Sequence, residues 1–359
     1  MPRFSIVIPT YNRRPLLSST LDSVAAQVLG DWECLVCDDG STDDTHEYVR
    51  VRSAADPRIR LVLGPRFGLP AGPRNRGIRE ARAEWIAFCD DDDVWHPSKL
   101  KRQDGLLRAE RCDAVSTVFR PVPEGAFISF SSDLPSTGVV TISLAGILLF
   151  RAPYPAISTN VVRRARLLEA GGFSEAPAYR GVEDMDLWAR LVTLPGFCWR
   201  AVGGDPLVLY RDQGGDSISA WNQPLRPDVI RQRWATLDLT SRMLAAHSRL
   251  LAPRDRREVL VAVRDLADDC AARSVAVGWR KAAVAAYAWS AALSARVGAP
   301  GDSLLRGLRL LRFGMLGRAR SPAPMPPAIQ ELRISAGQHM RRVLQHFDAE
   351  SLLERVPPP

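Results

Sequence analysis

The 359-residue sequence has no apolar run of the ~18 residues that would indicate a membrane-spanning helix. No secretory signal precedes the first predicted strand. The six cysteines are scattered, and the pair Cys34 and Cys37 has no second Cys or His pair that would complete a zinc site. We therefore expect a cytoplasmic protein in which Cys34 and Cys37 pack in the core.

Two glycine-rich nucleotide-binding motifs are also missing. No G-x-G-x-x-G follows the first predicted strand, and G-x-x-x-x-G-K-[ST] does not occur in the chain. These absences disfavour a dinucleotide site and a P-loop, in which backbone N–H groups hold the phosphates. A nucleotide site in this chain would have to rely on aspartates and a metal ion instead.

Lysine is scarce, since only three of the 48 basic residues are lysine. The net charge of +8 is uneven: residues 221–359 hold 22 basic and 12 acidic residues, whereas residues 1–220 hold 26 and 28. The C-terminal arginines are interspersed with acidic residues and few aromatics. Nucleic-acid binding requires basic side chains that neutralise phosphates, and the interspersed acidic residues oppose this. We therefore expect no nucleic acid as a partner.

The chain does contain alternating apolar runs and segments of helical periodicity. The runs that predict buried strands are 4–8, 32–37, 59–63 and 85–89. Strands that alternate with helices predict right-handed βαβ units, and hence an α/β fold with a mainly parallel, Rossmann-like sheet. Beyond residue 220 the periodicity is mostly helical.

Polar residues follow three of the predicted strands, at 9–12, 38–41 and 90–93. Open α/β sheets bind ligands at the carboxyl ends of their strands, so these segments predict one binding site. The last segment is four consecutive aspartates, which repel one another unless a cation joins them. A hard divalent ion with substrate phosphates fits such oxygen ligands. The alternative is a solvated acidic turn that binds nothing.

A helix is predicted to start at Pro97, shortly after the aspartates. The missing N–H of a proline would be unpaired in the first turn of a helix anyway.

Four motifs in order resemble glycosyltransferase family 2, and the resemblance covers about residues 3–215. They are SIVIPTYNR at 5–13, DDGSTDDT at 38–45, GPRNRG at 72–77 and FCDDDDVW at 88–95. The resemblance implies the glycosyltransferase A-type nucleotide-sugar fold and inversion at the anomeric carbon. Residues 1–220 would be the catalytic domain, with a nucleotide-binding half at about 1–110 and an acceptor half at about 111–220.

The resemblance also implies roles toward the donor. Asp39 would accept a hydrogen bond from the donor base, commonly uracil. Asp92 would ligate Mn²⁺ or Mg²⁺ on the diphosphate, and Asp90 would face the ribose or share the metal. The run leaves a shift of one position open, in which Asp91 and Asp93 share these tasks. The other nucleotide-binding residues would be Pro9, Thr10, Tyr11, Asn12 and Arg74.

A second chemical centre lies in the predicted helix after Gly181. Glu183 and Asp184 stand in its first turn, where carboxylates are stabilised as anions. A favourable charge at a helix start is one explanation. In the family pattern, however, Asp184 resembles the catalytic base that deprotonates an acceptor hydroxyl. Glu183 would support this base or contact the acceptor.

One departure from the family pattern concerns the metal. Gln213 stands where many relatives carry histidine, and an amide is the poorer ligand. A third protein ligand is therefore in doubt. Asp212 or water could take that place, or Arg211 could neutralise phosphate charge instead.

The C-terminal part matches no motif. Residues 221–320 are predicted to be helical, and residues 321–359 to be a proline-rich linker with a terminal helix. Segment 303–320 is basic and amphipathic. It would either pack on the catalytic domain or lie on an anionic membrane surface as a peripheral contact.

These features predict an inverting, metal-dependent glycosyltransferase with a nucleotide-sugar donor, for which UDP is the expected nucleotide. The acceptor would be a glycan, a lipid-linked sugar or a small molecule. The enzyme would be cytoplasmic, or peripheral at the inner face of the membrane. The alternative is a catalytically silent nucleotide-sugar-binding or scaffold protein.

Overall fold

A computed structural model describes residues 1–123, 136–204, 206–212, 226–297 and 324–346 of the chain. The chain divides into two compact units. The first comprises Met1–Glu175 and Glu183–Ser217, and the second comprises Ala176–Val182 and Ile218–Pro359. Segment 303–320 and Gln213, for which the sequence suggested roles, lie outside the described residues.

The first unit is built from strands and helices that alternate along its N-terminal part. Its described strands are β1 (Phe4–Thr10), β2 (Trp32–Asp38), β3 (Ile59–Val62), β4 (Trp85–Phe88), β5 (Val94–Trp95), β6 (Ala114–Ser116), β7 (Phe119–Pro123), β8 (Ser136–Thr141), β9 (Asn160–Arg163), β10 (Trp199–Gly204) and β11 (Val208–Asp212). Its described helices are α1 (Arg14–Ala25), α2 (Thr45–Ala55), α3 (Ala71–Glu80), α4 (Lys99–Glu110), α5 (Leu144–Leu148), α6 (Arg164–Glu169) and α7 (Glu183–Val192).

The main sheet has eight strands in the order β3-β2-β1-β4-β9-β6-β10-β8. β3, β2, β1 and β4 run parallel to one another, and β6 runs parallel to β10. β9 is antiparallel to both β4 and β6, and β8 is antiparallel to β10. The predicted α/β fold with a mainly parallel sheet is therefore confirmed.

The core of this unit lies around β1 and β2, in which every residue is buried. Such strands consist of nearly continuous apolar runs because both faces of the sheet are covered. Cys34 and Cys37 are free and buried within β2, so the prediction that they pack in the core is confirmed.

The chain after the aspartate run differs from the prediction. Instead of leading straight into a helix, residues 94–95 form β5, which pairs with β11 in a small second sheet that also contains β7. The N–H of His96 donates to the carbonyl of Leu207 (2.9 Å), which keeps the chain extended through that residue. Helix α4 consequently begins at Lys99 and not at Pro97.

The second unit is helical in its described part, as predicted for the C-terminal region. It contains α8 (Pro227–His247), α9 (Pro253–Ala276), α10 (Arg280–Arg296) and α11 (Pro327–His346). Helix α8 packs against α9 and α11, and Trp234 is fully buried in this core. Among the described residues, no helix has both the length and the apolarity needed to cross a membrane.

Candidate active site

The four aspartates after β4 alternate between two environments. The side chains of Asp90 and Asp92 retain 26% and 16% of their exposure. Asp91 and Asp93 are buried, at 6% and 1% exposure for the whole residue. In the structure, therefore, the first and third carboxylates of the run reach solvent at the carboxyl edge of the sheet, and the second and fourth point into the protein.

The inward direction of the second and fourth aspartates is fixed by two threonines. Asp91 Oδ2 accepts a hydrogen bond from Thr10 Oγ1 at the end of β1 (2.7 Å). Thr20 Oγ1 lies 3.0 and 2.8 Å from the main-chain oxygens of Asp91 and Asp93. Burial, together with the negative charge of Asp92, raises the pKa of Asp91 to about 7. The run is thus an accumulation of negative charge that a cation would stabilise.

Each outward carboxylate contacts an arginine. Arg13 Nη1 donates to Asp92 Oδ2 (2.7 Å), and Arg74 Nη2 donates to Asp90 Oδ1 (2.7 Å). Arg74 was predicted as a site residue, whereas Arg13 was not, although it is the last residue of the first family motif. Its position directly after the strand end was the available signal. Two positive charges therefore lie at this edge, beside the outward carboxylates.

Arg74 also connects this edge to the second chemical centre. Its side chain is 6% exposed, and its other terminal nitrogen, Nη1, donates to Glu183 Oε1 (3.0 Å). Glu183 is itself buried and is the first residue of α7. The guanidinium thus holds the end of β4 and the start of α7 together, and it gives Glu183 a partner within the protein.

Asp184, the next residue, is partly buried in the first turn of α7. Its Oδ1 accepts a hydrogen bond from the N–H of Met185 (2.7 Å). Burial and the adjacent charge of Glu183 raise the pKa of Asp184 to about 7, and the charge of Asp90 adds to this shift. Asp184 is therefore close enough to Asp90 for their charges to interact, and its proton affinity suits a base at neutral pH.

The residues predicted to bind the nucleotide base of the donor lie at the ends of β1 and β2. Asp39 accepts hydrogen bonds from the N–H groups of Phe67 and Gly68, both at 2.7 Å, and is itself buried. Asn12 Oδ1 accepts from the N–H of Thr42 (2.7 Å). The side-chain oxygens of Asp39 and Asn12 thus hold the neighbouring loops in place, and these contacts use part of their capacity to accept hydrogen bonds.

The remaining residues predicted on this side divide into buried and accessible ones. Pro9 and Thr10 are buried in β1, behind the surface. Tyr11 is partly exposed, and the guanidinium carbon of Arg66 lies 3.6 Å from its ring centroid. Tyr11 therefore offers an aromatic ring at this edge, next to a cation that no sequence pattern indicated.

The carboxylates of the aspartate run provide part of the ligand set of a metal ion. Within the described ranges, no three His, Cys, Asp or Glu side chains converge to form a complete metal site. Asp90 and Asp92 still provide two accessible carboxylates. Mg²⁺ and similar ions are commonly held by one or two carboxylates, with substrate phosphates and water as the other ligands. The donor set fits an ion that binds together with a diphosphate.

Two solved structures share the architecture described above. S. aureus TarS 1–349 in complex with UDP-GlcNAc has a TM-score of 0.57 at 19% identity, covering 97% of this chain and 91% of that chain. The mannosyltransferase PcManGT from Pyrobaculum calidifontis, in complex with GDP-Man and Mn²⁺, has a TM-score of 0.52 at 19% identity, with coverage of 86% and 87%. The fold is that of the A-type glycosyltransferases.

Sequence comparisons then give the family. Residues 5–153 match the model described as Glycosyl transferase family 2. The Escherichia coli protein named UDP-Glc:alpha-D-GlcNAc-diphosphoundecaprenol beta-1,3-glucosyltransferase WfgD is 38% identical over 103 residues, which are 29% of this chain and 40% of that protein. Succinoglycan biosynthesis protein ExoO of Rhizobium meliloti is 29% identical over 287 residues, 74% of this chain and 78% of that protein.

Residues 5–153 of the chain belong to glycosyltransferase family 2, as the four motifs predicted. The matched region spans less than half of WfgD.

Proposed function

We propose that this chain is an inverting glycosyltransferase that moves a sugar from a UDP-linked donor to an acceptor hydroxyl. The observation that supports this best is the Arg74 bridge to Asp90 and Glu183. It ties the strand end where a donor diphosphate would bind to the helix start where Asp184 stands. Transfer requires a leaving-group site and a base on opposite sides of one sugar ring, and the bridge brings the residues proposed for these two tasks into one site.

Asp184 would be the general base. It would accept the proton of the acceptor hydroxyl while that oxygen attacks the anomeric carbon. The bond from this carbon to the diphosphate oxygen breaks on the opposite face, so the configuration inverts and the nucleoside diphosphate leaves. A pKa raised to about 7 makes Asp184 a stronger base than an ordinary aspartate. General-base catalysis of this kind contributes ~10²–10⁴-fold in rate.

The leaving group is a diphosphate, whose charge must be neutralised. Asp92 and Asp90 would hold Mn²⁺ or Mg²⁺ there, and the bound ion would supply Lewis-acid stabilisation of that charge. Arg13 and Arg74 would add positive charge at the same edge. A glycosidase needs a second, protonated carboxyl for its leaving group, whereas a diphosphate does not.

The donor nucleoside would bind between the ends of β1 and β2. Tyr11 would pack against the base, and Asp39 and Asn12 would face it with the acceptor capacity that their loop contacts leave. Pro9, Thr10 and Asp91 would support this surface from within. In particular, the Thr10–Asp91 hydrogen bond connects the base side to the aspartate run.

Among the three acceptor classes, we favour a lipid-linked sugar, and the product would be a bacterial surface polysaccharide. The names of the relatives support this choice, since WfgD is named for a GlcNAc-diphosphoundecaprenol acceptor and ExoO for succinoglycan biosynthesis. Such an acceptor would place the enzyme at the cytoplasmic face of a membrane.

Isothermal titration of UDP with and without MnCl₂ tests the donor side directly. We expect Mn²⁺ to strengthen UDP binding, and an unchanged affinity would count against the metal site. A panel of nucleotide sugars, assayed for slow hydrolysis without acceptor, would then identify the donor. If none is hydrolysed or transferred while UDP still binds, the chain is a nucleotide-sugar-binding protein and not an enzyme.

A further inference from the structure

A large aromatic side chain is exposed directly after α5. Phe150 is 50% exposed and has a left-handed backbone conformation, with a φ of 50°. A bulky residue rarely adopts this conformation, and such residues cluster at functional sites. The backbone here is fixed, because the N–H of Phe150 donates to the carbonyl of Ile147 (3.3 Å) and that of Arg151 to the carbonyl of Gly146 (3.0 Å).

Phe150 is stacked on a second aromatic ring. The centroid of the Tyr154 ring lies 5.1 Å from that of Phe150, with 27° between the ring planes. Tyr154 is the more buried of the two. Since Tyr154 stacks on the ring of Phe150 while half of the Phe150 residue is exposed, the pair offers solvent a flat, braced aromatic surface.

This aromatic pair lies beside the proposed catalytic centre. Helix α5, which ends just before Phe150, packs against α7, which carries Asp184. Farther along the same segment, Ser158 Oγ accepts a hydrogen bond from the N–H of Asp90 (2.9 Å). Burial, with a smaller contribution from the negative charge of Asp184, raises the pKa of the Tyr154 phenol. Tyr154 is thus near the proposed base, and its segment is anchored to the aspartate run.

We propose that Phe150, braced by Tyr154, binds a pyranose ring of the acceptor by stacking against the C–H groups of one sugar face. This inference rests on the proposed function, in which Asp184 deprotonates an acceptor hydroxyl. An acceptor sugar must lie next to that base, and the exposed aromatic pair is an apolar surface that the described residues offer there. Aromatic rings recognise apolar faces through contact area and their quadrupole.

The competing occupant is the alkyl part of a lipid-linked acceptor. A lipid chain would also contact an exposed phenylalanine, but it would not require a flat surface. The two occupants can be separated with one probe that contains both parts. Octyl β-D-glucopyranoside carries a pyranose and an alkyl chain whose protons are resolved by NMR.

Saturation-transfer NMR with UDP-saturated protein tests the proposal. The probes are methyl glycosides of glucose and of N-acetylglucosamine, and octyl β-D-glucopyranoside. For the unaltered chain we expect saturation of pyranose ring protons on one face. Absence of saturation with every probe, or saturation of the octyl protons alone, would overturn the proposal.

The variants make the test specific. Phe150→Asn removes the ring and keeps a residue that tolerates the left-handed backbone, so it should weaken glycoside binding about tenfold. Phe150→Trp should keep the affinity within about twofold, because it keeps the stacking surface. The control is Leu168→Ala, which truncates another exposed apolar side chain of the same unit and should change nothing. Unchanged binding by Phe150→Asn would refute the assignment.

A parallel titration with UDP distinguishes this proposal from the function on which it rests. All three variants should bind UDP as the unaltered chain does, since none touches the donor carboxylates. If the unaltered chain does not bind UDP, the proposed donor site is rejected. Retained UDP binding with no effect at Phe150 would reject only the acceptor surface.

Discussion

The guanidinium of Arg74 donates to Asp90 through one terminal nitrogen and to Glu183 through the other, at 2.7 and 3.0 Å. Asp90 follows β4 and Glu183 begins α7, and these two elements are far apart in the sequence. The arginine pairs with both acids at once, because each acid contacts a different terminal nitrogen. The bridge therefore contributes to folding and, in the proposed mechanism, keeps the donor and acceptor sides in register.

Replacement of Arg74 by alanine should destabilise the protein strongly. It would leave the buried carboxylate of Glu183 without its arginine, and breaking a buried ion pair in this way typically costs about 3–5 kcal/mol. Urea denaturation followed by circular dichroism measures the change.

A matched control for Arg74→Ala is Arg108→Ala. Arg108 is 69% exposed and pairs with Asp104, which would keep its hydrogen bond to Arg3. An exposed pair contributes only about 0–1 kcal/mol, so this variant should unfold close to the unaltered chain. Equal losses in the two variants would mean that burial of the Arg74 bridge is not what matters.

Asp184→Asn should abolish transfer but not donor binding. The amide cannot accept the hydroxyl proton, so we expect kcat to fall by about 10²–10⁴-fold. The amide oxygen can still accept from the N–H of Met185, which preserves the start of α7. Transfer assays and UDP titration on the same preparation measure both effects. A parallel fall in UDP affinity would assign Asp184 a structural role.

The pH dependence of transfer should follow the same carboxyl group. A base must be deprotonated, and the pKa of Asp184 is raised to about 7. The rate should therefore fall about tenfold per pH unit below pH 7 and level off above it. Glu183→Gln removes the neighbouring charge that contributes to this rise while keeping an oxygen for Arg74. Its acidic limb should shift to lower pH, and an unshifted limb would contradict the assignment.

The meeting of the polar segments at one edge of the sheet was predictable, because each segment directly follows its own strand. The orientation of the aspartates within 90–93 was not, because four identical side chains give no sign of which ones face inward. Thr10 and Thr20, much earlier in the chain, decide it through hydrogen bonds. Arg13 was missed because its partner, Asp92, follows a different strand, and no local pattern connects the two residues.

The start of α4 illustrates a second limit of sequence patterns. Pro97 is compatible with a first helical turn, but tertiary pairing of β5 with β11 takes precedence over this local preference. The partner strand lies more than a hundred residues later, so no local window contains the information. The same holds for the small second sheet as a whole, which joins β5, β7 and β11.

Asp92→Asn should remove the effect of the metal on donor binding. If Asp92 ligates the ion, the amide should reduce the Mn²⁺-dependent gain in UDP affinity by at least about tenfold, while binding without metal changes little. Asp22→Asn serves as control, because this aspartate is 69% exposed and pairs with Arg52 on the surface. Calorimetric titration of UDP with and without MnCl₂ gives the Mn²⁺-dependent gain for the unaltered chain and for each variant. If Asp92→Asn retains the full Mn²⁺ gain, the ion is held elsewhere, and the outward carboxylates of the run act on the nucleotide alone.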